Sequence, residues 1–246
     1  MYPAKFIFGR KRETQLLRER LGKRKSFLLH GYAGVGKTLL VQEVAKTVLG
    51  TLYCGQSESM QKIIHNLAHA LLAAGDEQAA AQFGRNPGDK IKSLSMGSLK
   101  GMVVGILCQK SYSIVLDHVR RSSQVLARAM KEMSQRTKTP ITVVARSAHM
   151  EDAGFFLKMF SDKSERVQLL NFDPATATQF VIELGARVAL NPANLDEFVS
   201  QVVQLTAGNP GAIQSLVELA RLPKYWSGDR IKITSLYLDH LMNWKP

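Results

Sequence analysis

The sequence predicts a three-layer α/β/α domain built on a parallel sheet, followed by a smaller helical domain. Three observations lead there. Through the first 172 residues, short apolar runs alternate with longer amphipathic ones, as βαβ units do. A glycine-rich turn, Gly31–Thr38, joins the first of these runs to an amphipathic segment. Beyond residue 172 the strand-length runs stop and only helix-length patterns remain. The expected division is therefore 1–172 and 173–246.

Taken in order, Phe8–Leu21 reads as a basic amphipathic helix, and Ser26–His30 (SFLLH) as a buried strand. Residues 38–49 place Leu40, Val41, Val44, Ala45 and Val48 on one helical face. Thr51–Cys54 is a weak second strand, residues 59–74 a helix, and residues 75–95, with GRNPGDK, a surface loop. A helix over Met96–Gln109 leads to a third strand, Ser113–Asp117 (SIVLD). The helix over residues 122–135 carries Val125, Leu126, Ala129, Met130 and Met133 as its apolar face. Ile141–Ala145 is a fourth strand, residues 152–159 a short helix, and residues 166–170 a closing strand. Asp173-Pro174 starts a helix to residue 190, Asn194 caps Leu195–Thr206, and Asn209-Pro210 starts another to residue 222. A last helix covers residues 234–243.

Composition narrows the function classes. The chain has 246 residues and 45% hydrophobic content, enough for a proper core. Its longest nearly unbroken apolar stretch, Met102–Cys108, is far short of the roughly 20 residues a membrane span needs. Charges precede any apolar segment at the N-terminus, so no secretory signal is expected. Cys54 and Cys108 sit in no CxxC, which suits reduced thiols in the cytoplasm. The six histidines show no metal spacing; His65 and His69 stand four apart without an accompanying carboxylate and read as a solvated or packed pair.

Charge is informative. The chain holds 33 Lys and Arg against 20 Asp and Glu, a net of +13. Lys5, Arg10, Lys11, Arg12, Arg18, Arg20, Lys23, Arg24 and Lys25 give residues 1–25 nine bases against two acids. Residues 118–140 hold six, Arg120, Arg121, Arg128, Lys131, Arg136 and Lys138, against Glu132 alone. Such clusters fit a polyanion such as DNA, but they equally fit a solvated basic face, and no aromatic interleaving accompanies them.

The strongest signal is GYAGVGKT at residues 31–38, a full G-x-x-x-x-G-K-[ST] match between an apolar strand and an amphipathic helix. Gly31, Gly34 and Gly36 let the backbone curl so that successive N–H groups face a phosphate. The following helix adds its N-terminal partial charge. Lys37 reaches the β- and γ-phosphate oxygens and Thr38 ligates Mg²⁺. The backbone of Ala33, Val35 and Leu39 completes the cradle. A second Mg²⁺ ligand is expected at a neighbouring strand end, where Asp117 follows Ile114-Val115-Leu116. These features predict a P-loop NTPase fold that binds ATP with Mg²⁺.

The same residues resemble the AAA+ superfamily, particularly its STAND and archaeal-ATPase-like (ORC-type) branches. FGRKRETQLLRERL at residues 8–21 is similar to that family's opening box, which implies that Gly9 and Arg10 line the adenine. Arg146, after ITVVA, resembles the sensor that contacts the γ-phosphate, although an arginine at a strand end is also an ordinary surface residue. Gly208-Asn209-Pro210 resembles the GxP element of the helical lid, whose proline (Pro210) packs on the base; locally it also reads as a helix end and start. Arg166 matches an arginine finger acting across a subunit boundary, which implies a homo-oligomer, or is a surface strand-start residue. The sequence departs from the family pattern at His118, where Glu or Asp usually polarises the attacking water, and no arginine follows the GxP-like element. A neutral imidazole can act as a base near pH 7, so slow turnover, or binding without useful hydrolysis, is expected. Three uses are open: an ATP-dependent DNA-associated assembler, a protein-binding regulatory switch, and a nucleotide-holding scaffold.

Overall fold

A computed structural model of the protein describes residues 7–84 and 86–243. Lys5 of the first basic cluster and Arg85 of the GRNPGDK segment lie outside them. The chain forms two compact units. One, the sheet unit, comprises Arg12–Gly31 and Leu40–Gln168; the other, the helical unit, comprises the described residues of 1–11, Tyr32–Leu39 and the chain from Leu169 onward.

In the sheet unit the strands are β1 (Phe27–His30), β2 (Thr51–Cys54), β3 (Ser113–Leu116), β4 (Ile141–Ala145) and β5 (Arg166–Gln168). They are all parallel, in the order β2-β3-β4-β1-β5, with His30 level with Ala145 and Gln168, and Cys54 level with Leu116. The strands read as continuous apolar runs because both faces are covered. On one face Leu28, Leu52, Cys54, Ile114, Leu116, Ile141 and Val143 join the main core. The alternate residues Phe27, Leu29, Val115 and Val144 are buried on the other. Helices α1 (Lys11–Gly22), α3 (Met60–Ala73), α6 (Met96–Gln109) and α7 (Gln124–Thr137) belong wholly or almost wholly to this unit, and α2 (Lys37–Thr47) passes into it from the phosphate loop. The three-layer parallel architecture is as expected.

Three expectations need correction. Residues 75–95 are not loop: they form α4 (Glu77–Phe83) and α5 (Pro87–Ser93). Asp76 caps α4 through the Ala79 N–H, and Ala79, Phe83 and Ile91 are fully or nearly fully buried. The glycines mark ends rather than the whole segment. Val125 does not belong to the apolar face of α7; it is 79% exposed, and Ala127 joins the expected Leu126, Met130 and Met133 in the buried face. Strands also do not stop at 172, because Trp226–Ser227 (β6) and Arg230–Ile231 (β7) pair antiparallel.

In the helical unit, α8 (Pro174–Arg187), α9 (Leu195–Thr206), α10 (Pro210–Leu219) and α11 (Ile233–Asn243) share one core with Phe172, Phe198, Val202, Ile213 and Leu216 at its centre. Asp173 and Asn209 cap α8 and α10 as anticipated, each followed by proline at the first helical position. Asn194 precedes α9 but makes no cap hydrogen bond; its amide pairs reciprocally with the N–H and carbonyl of Ile231, which holds β7. Among the described residues, no helix is long and apolar enough to cross a membrane.

Candidate functional site

The phosphate loop in the helical unit is held by its carbonyls. Asn209 Nδ2 donates to the Ala33 carbonyl at 2.9 Å, the Gly211 N–H to the Gly34 carbonyl at 2.9 Å, and Arg10 Nη2 to the Val35 carbonyl at 3.3 Å. Three successive carbonyls therefore face protein donors. Across a trans peptide the N–H points opposite to the C=O, so the N–H groups of Gly34, Val35 and Gly36 turn the other way. That of Val35 closes a turn on the Tyr32 carbonyl. Gly34 and Gly36 have φ of 78° and 96°, where side chains are strained. No heavy atom lies within 4 Å of where a Cβ on Gly36 would stand, so the space beside that residue is open. Lys37 and Thr38 begin α2, whose first N–H groups have no intrahelical acceptor. The Lys37 ammonium donates to the Tyr32 carbonyl at 2.9 Å. Loop N–H groups turned away from the protein donors, with an ammonium nearby, have the chemistry to hold a phosphate.

The segment Phe8–Arg10 anchors in the same unit. Phe8, Phe172 and Phe180 form a ring cluster with centroids 5.1 to 6.2 Å apart. Gly9, at φ +63°, sits where a Cβ would come within 2.7 Å of Thr176. Arg10 is buried, its guanidinium 4.4 Å over the Phe172 ring and 2.6 Å from the Leu170 carbonyl. Arg10 is thus a strut for the phosphate loop, a role its sequence position did not announce. Pro210 is half-buried at the start of α10.

In the sheet unit, neighbouring strands β3, β4 and β1 bring Asp117, Arg146 and Gly31 to the same edge. The Gly31 N–H donates to the Arg146 carbonyl at 3.2 Å, and the Arg146 side chain is exposed. Asp117 is buried, and both its oxygens have donors: Tyr53 hydroxyl to Oδ2 at 2.6 Å, and the His118 N–H to Oδ1 at 2.7 Å. Gln42 in turn donates to the Tyr53 oxygen at 2.8 Å. Burial, then the Asp117 carboxylate beside it, push the Tyr53 hydroxyl far above its ordinary value, so it stays a donor. Burial likewise pushes the Cys54 thiol up to about 12, which makes it inert. His118 adopts a left-handed φ of 54°, which turns its own N–H onto Asp117; its exposed imidazole Nε2 stands 3.8 Å from Asp117 Oδ2.

Arg166 is not brought to that edge. It opens β5 level with Leu28, half-buried, with Nε donating to the Phe160 carbonyl at 2.9 Å. Tyr53 and Gln42 carry no local sequence signal. Only the register that sets β2 beside β3 reveals them, and nothing local encodes that register.

Comparison with known proteins agrees with this geometry. The AAA ATPase domain family matches residues 7–170, the greater part of the sequence. The chain belongs to the AAA ATPase domain family. AAA ATPase domains bind nucleotide on a P-loop NTPase fold, and the parallel sheet, phosphate loop and helical C-terminal part described above are that fold. No curated protein matches the sequence. Among solved structures, a Walker-type ATPase of Pyrococcus abyssi superposes with a TM-score of 0.67 at 15% identity, covering 98% of this chain and 74% of that one. The Aeropyrum pernix ORC1 protein, determined in complex with DNA, gives 0.61 at 19%, over 95% of this chain and 66% of its own. A STAND protein with a tetratricopeptide repeat sensor from Pyrococcus horikoshii gives 0.53 at 14%, over the whole of this chain and 34% of its own. At these identities the likeness is one of fold.

Proposed function

We propose that this AAA ATPase domain is an ATP-dependent switch of slow turnover, with residues 173–246 as its lid. The observation that carries the reading is the phosphate loop itself: its carbonyls are engaged by Asn209, Gly211 and Arg10, and the space beside Gly36 is open. In this reading Gly31–Leu39 cradle the triphosphate and Lys37 neutralises its β- and γ-oxygens. Thr38 and Asp117 hold Mg²⁺ by hard oxygen donors, Arg146 senses the γ-phosphate, and Gly9, Arg10 and Pro210 frame the base. Arg166 acts on a neighbouring copy in a homo-oligomer. Slow turnover follows from His118, an exposed imidazole beside Asp117 where a carboxylate would activate water better. A switch moves only by the difference in nucleotide affinity between its states. The excess of basic charge supports DNA as the associated partner in the cytoplasm.

Calorimetry with MgATP tests the core of this reading. Micromolar or tighter binding is expected, abolished by Lys37→Ala; no heat from any triphosphate on folded protein overturns it. His118→Glu is expected to raise phosphate release, and an unchanged rate removes the explanation for slow turnover. A protein partner held only in one nucleotide state would favour a regulatory switch over a DNA-associated one. Tightly copurified nucleotide without phosphate release would mark a scaffold.

A further inference from the structure

The sheet unit holds the basic residues of 12–25 and 118–140 and redistributes them. Arg10 is buried and leaves the surface. Arg120 and Arg121 follow β3, while α7 runs back and delivers Arg136 and Lys138 just ahead of β4. Lys23, Arg24 and Lys25 immediately precede β1, the hydrogen-bonded neighbour of β4. Arg24 Nη2 donates to the Lys138 carbonyl at 3.2 Å, which sets the two segments side by side. On the other side of β1, Lys163 precedes β5, and Arg20 Nη2 donates to the Ser164 carbonyl at 2.8 Å. Seven cations thus gather where β4, β1 and β5 begin.

Three acids lie among them, Glu19, Asp162 and Glu165. The last two are occupied with the capping box of the turn at Lys163–Glu165. Among the described residues, Lys23, Lys25, Arg136, Lys138 and Lys163 enter no ion pair. A groove of about 500 Å³ opens here, lined by Arg20, Lys23 and Lys25, by the carboxylates Glu19 and Glu165, and by Leu16. Its lining contains no aromatic residue. Ser26 and Gly31 flank β1 and are five residues apart, roughly 17 Å of extended chain. The groove and the start of the phosphate loop therefore lie at opposite ends of that strand.

We propose that this strand-start edge docks the phosphate backbone of double-stranded DNA, without reading base sequence. The inference rests on DNA being the partner, and it specifies the surface and the mode. Lysines and arginines without aromatics suit phosphate contacts, whereas single strands need stacking platforms. A protein partner would need an apolar or aromatic anchor, and Leu16 is the sole large apolar side chain in the groove.

The test is the anisotropy of a fluorescent random-sequence duplex titrated with the whole chain at several salt concentrations. Lys23→Glu/Lys25→Glu/Lys138→Glu is expected to weaken binding at least about tenfold and to reduce the log–log salt slope by roughly 3. The same charge change at exposed Lys90, Lys92 and Lys100 is expected to leave the slope nearly unchanged. Both variants should keep the parental melting temperature and MgATP binding, which shows they are folded. Equal losses in the two variants overturn the assignment, since net charge alone would then act. Equal affinity for single strands, or displacement by polyglutamate as readily as by unlabelled duplex, also overturns it. A wild-type chain that binds no duplex removes DNA as partner altogether, while leaving nucleotide binding by Lys37 standing.

Discussion

Replacing Asn209 by alanine removes two separable functions of one side chain. Its Oδ1 accepts the Ala212 N–H at 3.1 Å and caps α10, and its Nδ2 holds the Ala33 carbonyl at 2.9 Å and Asn171 Oδ1 at 3.2 Å. Loss of the cap costs about 1 kcal/mol, and loss of the hydrogen bond to the loop about 0.5–1.5 kcal/mol. Serine separates these effects, because it caps as well as asparagine but is too short to carry an amide to Ala33. Asn209→Ala is expected to lower the melting temperature by roughly 3–10 °C, at about 2–4 °C per kcal/mol for a chain of this size. It should weaken MgATP by about 2- to 13-fold. Asn209→Ser is expected to weaken MgATP similarly while keeping most of the thermal stability. The assays are calorimetric melting and anisotropy of a fluorescent ATP analogue. If both variants bind the analogue like the parent, the loop does not depend on this tether and the reasoning fails.

Tyr53→Phe leaves an oxygen of buried Asp117 without its donor, and urea unfolding should show a loss of about 1–3 kcal/mol; a loss below about 0.5 kcal/mol would show that the hydroxyl is dispensable. Gly208→Ala and Gly36→Ala should part company. At Gly208 a Cβ would stand 2.2 Å from the Phe172 carbonyl, so circular dichroism should report a helical unit that fails to form, whereas at Gly36 the space is open and a folded chain that has lost MgATP is expected. Burial pushes the Asp76 carboxyl up, but the Lys110 ammonium, the Tyr112 hydroxyl and the Ala79 N–H outweigh it and hold it below its ordinary value. Its stabilisation is complete above the unfolded value of about 3.9 and vanishes as pH falls through the lower folded value. Unfolding curves on acidification should therefore steepen in this window for the parent and less for Asp76→Asn.

The phosphate loop and the strands were legible because their signals are local: glycines at fixed spacing, a run such as ITVVA, a proline after a capping Asp or Asn. What sequence did not disclose depends on partners far along the chain. Val125 satisfies the helical period, yet the turn of α7 on its core selects Ala127 instead. Arg10 reads in sequence as one of a basic cluster and, by resemblance, as a base-lining residue; its role as a strut emerges only when Val35, Leu170 and Phe172 are placed around it. Tyr53 becomes a neighbour of Asp117 only when β2 pairs with β3. The short helices α4 and α5 are obscured by the glycine and proline that bound them, although Asp76 as a cap with Glu77 in the first turn is an ordinary start.

The three carbonyl tethers carry a consequence for how the chain comes to life. The signature at residues 31–38 is synthesised early, but Asn209 and Gly211, which set its posture, are made some 170 residues later. Domains fold as their residues emerge during synthesis, so the nascent sheet precedes a competent loop. Capture of a triphosphate must await the last third of the polypeptide, and a fragment ending at β5 would display the motif without the grip that shapes it.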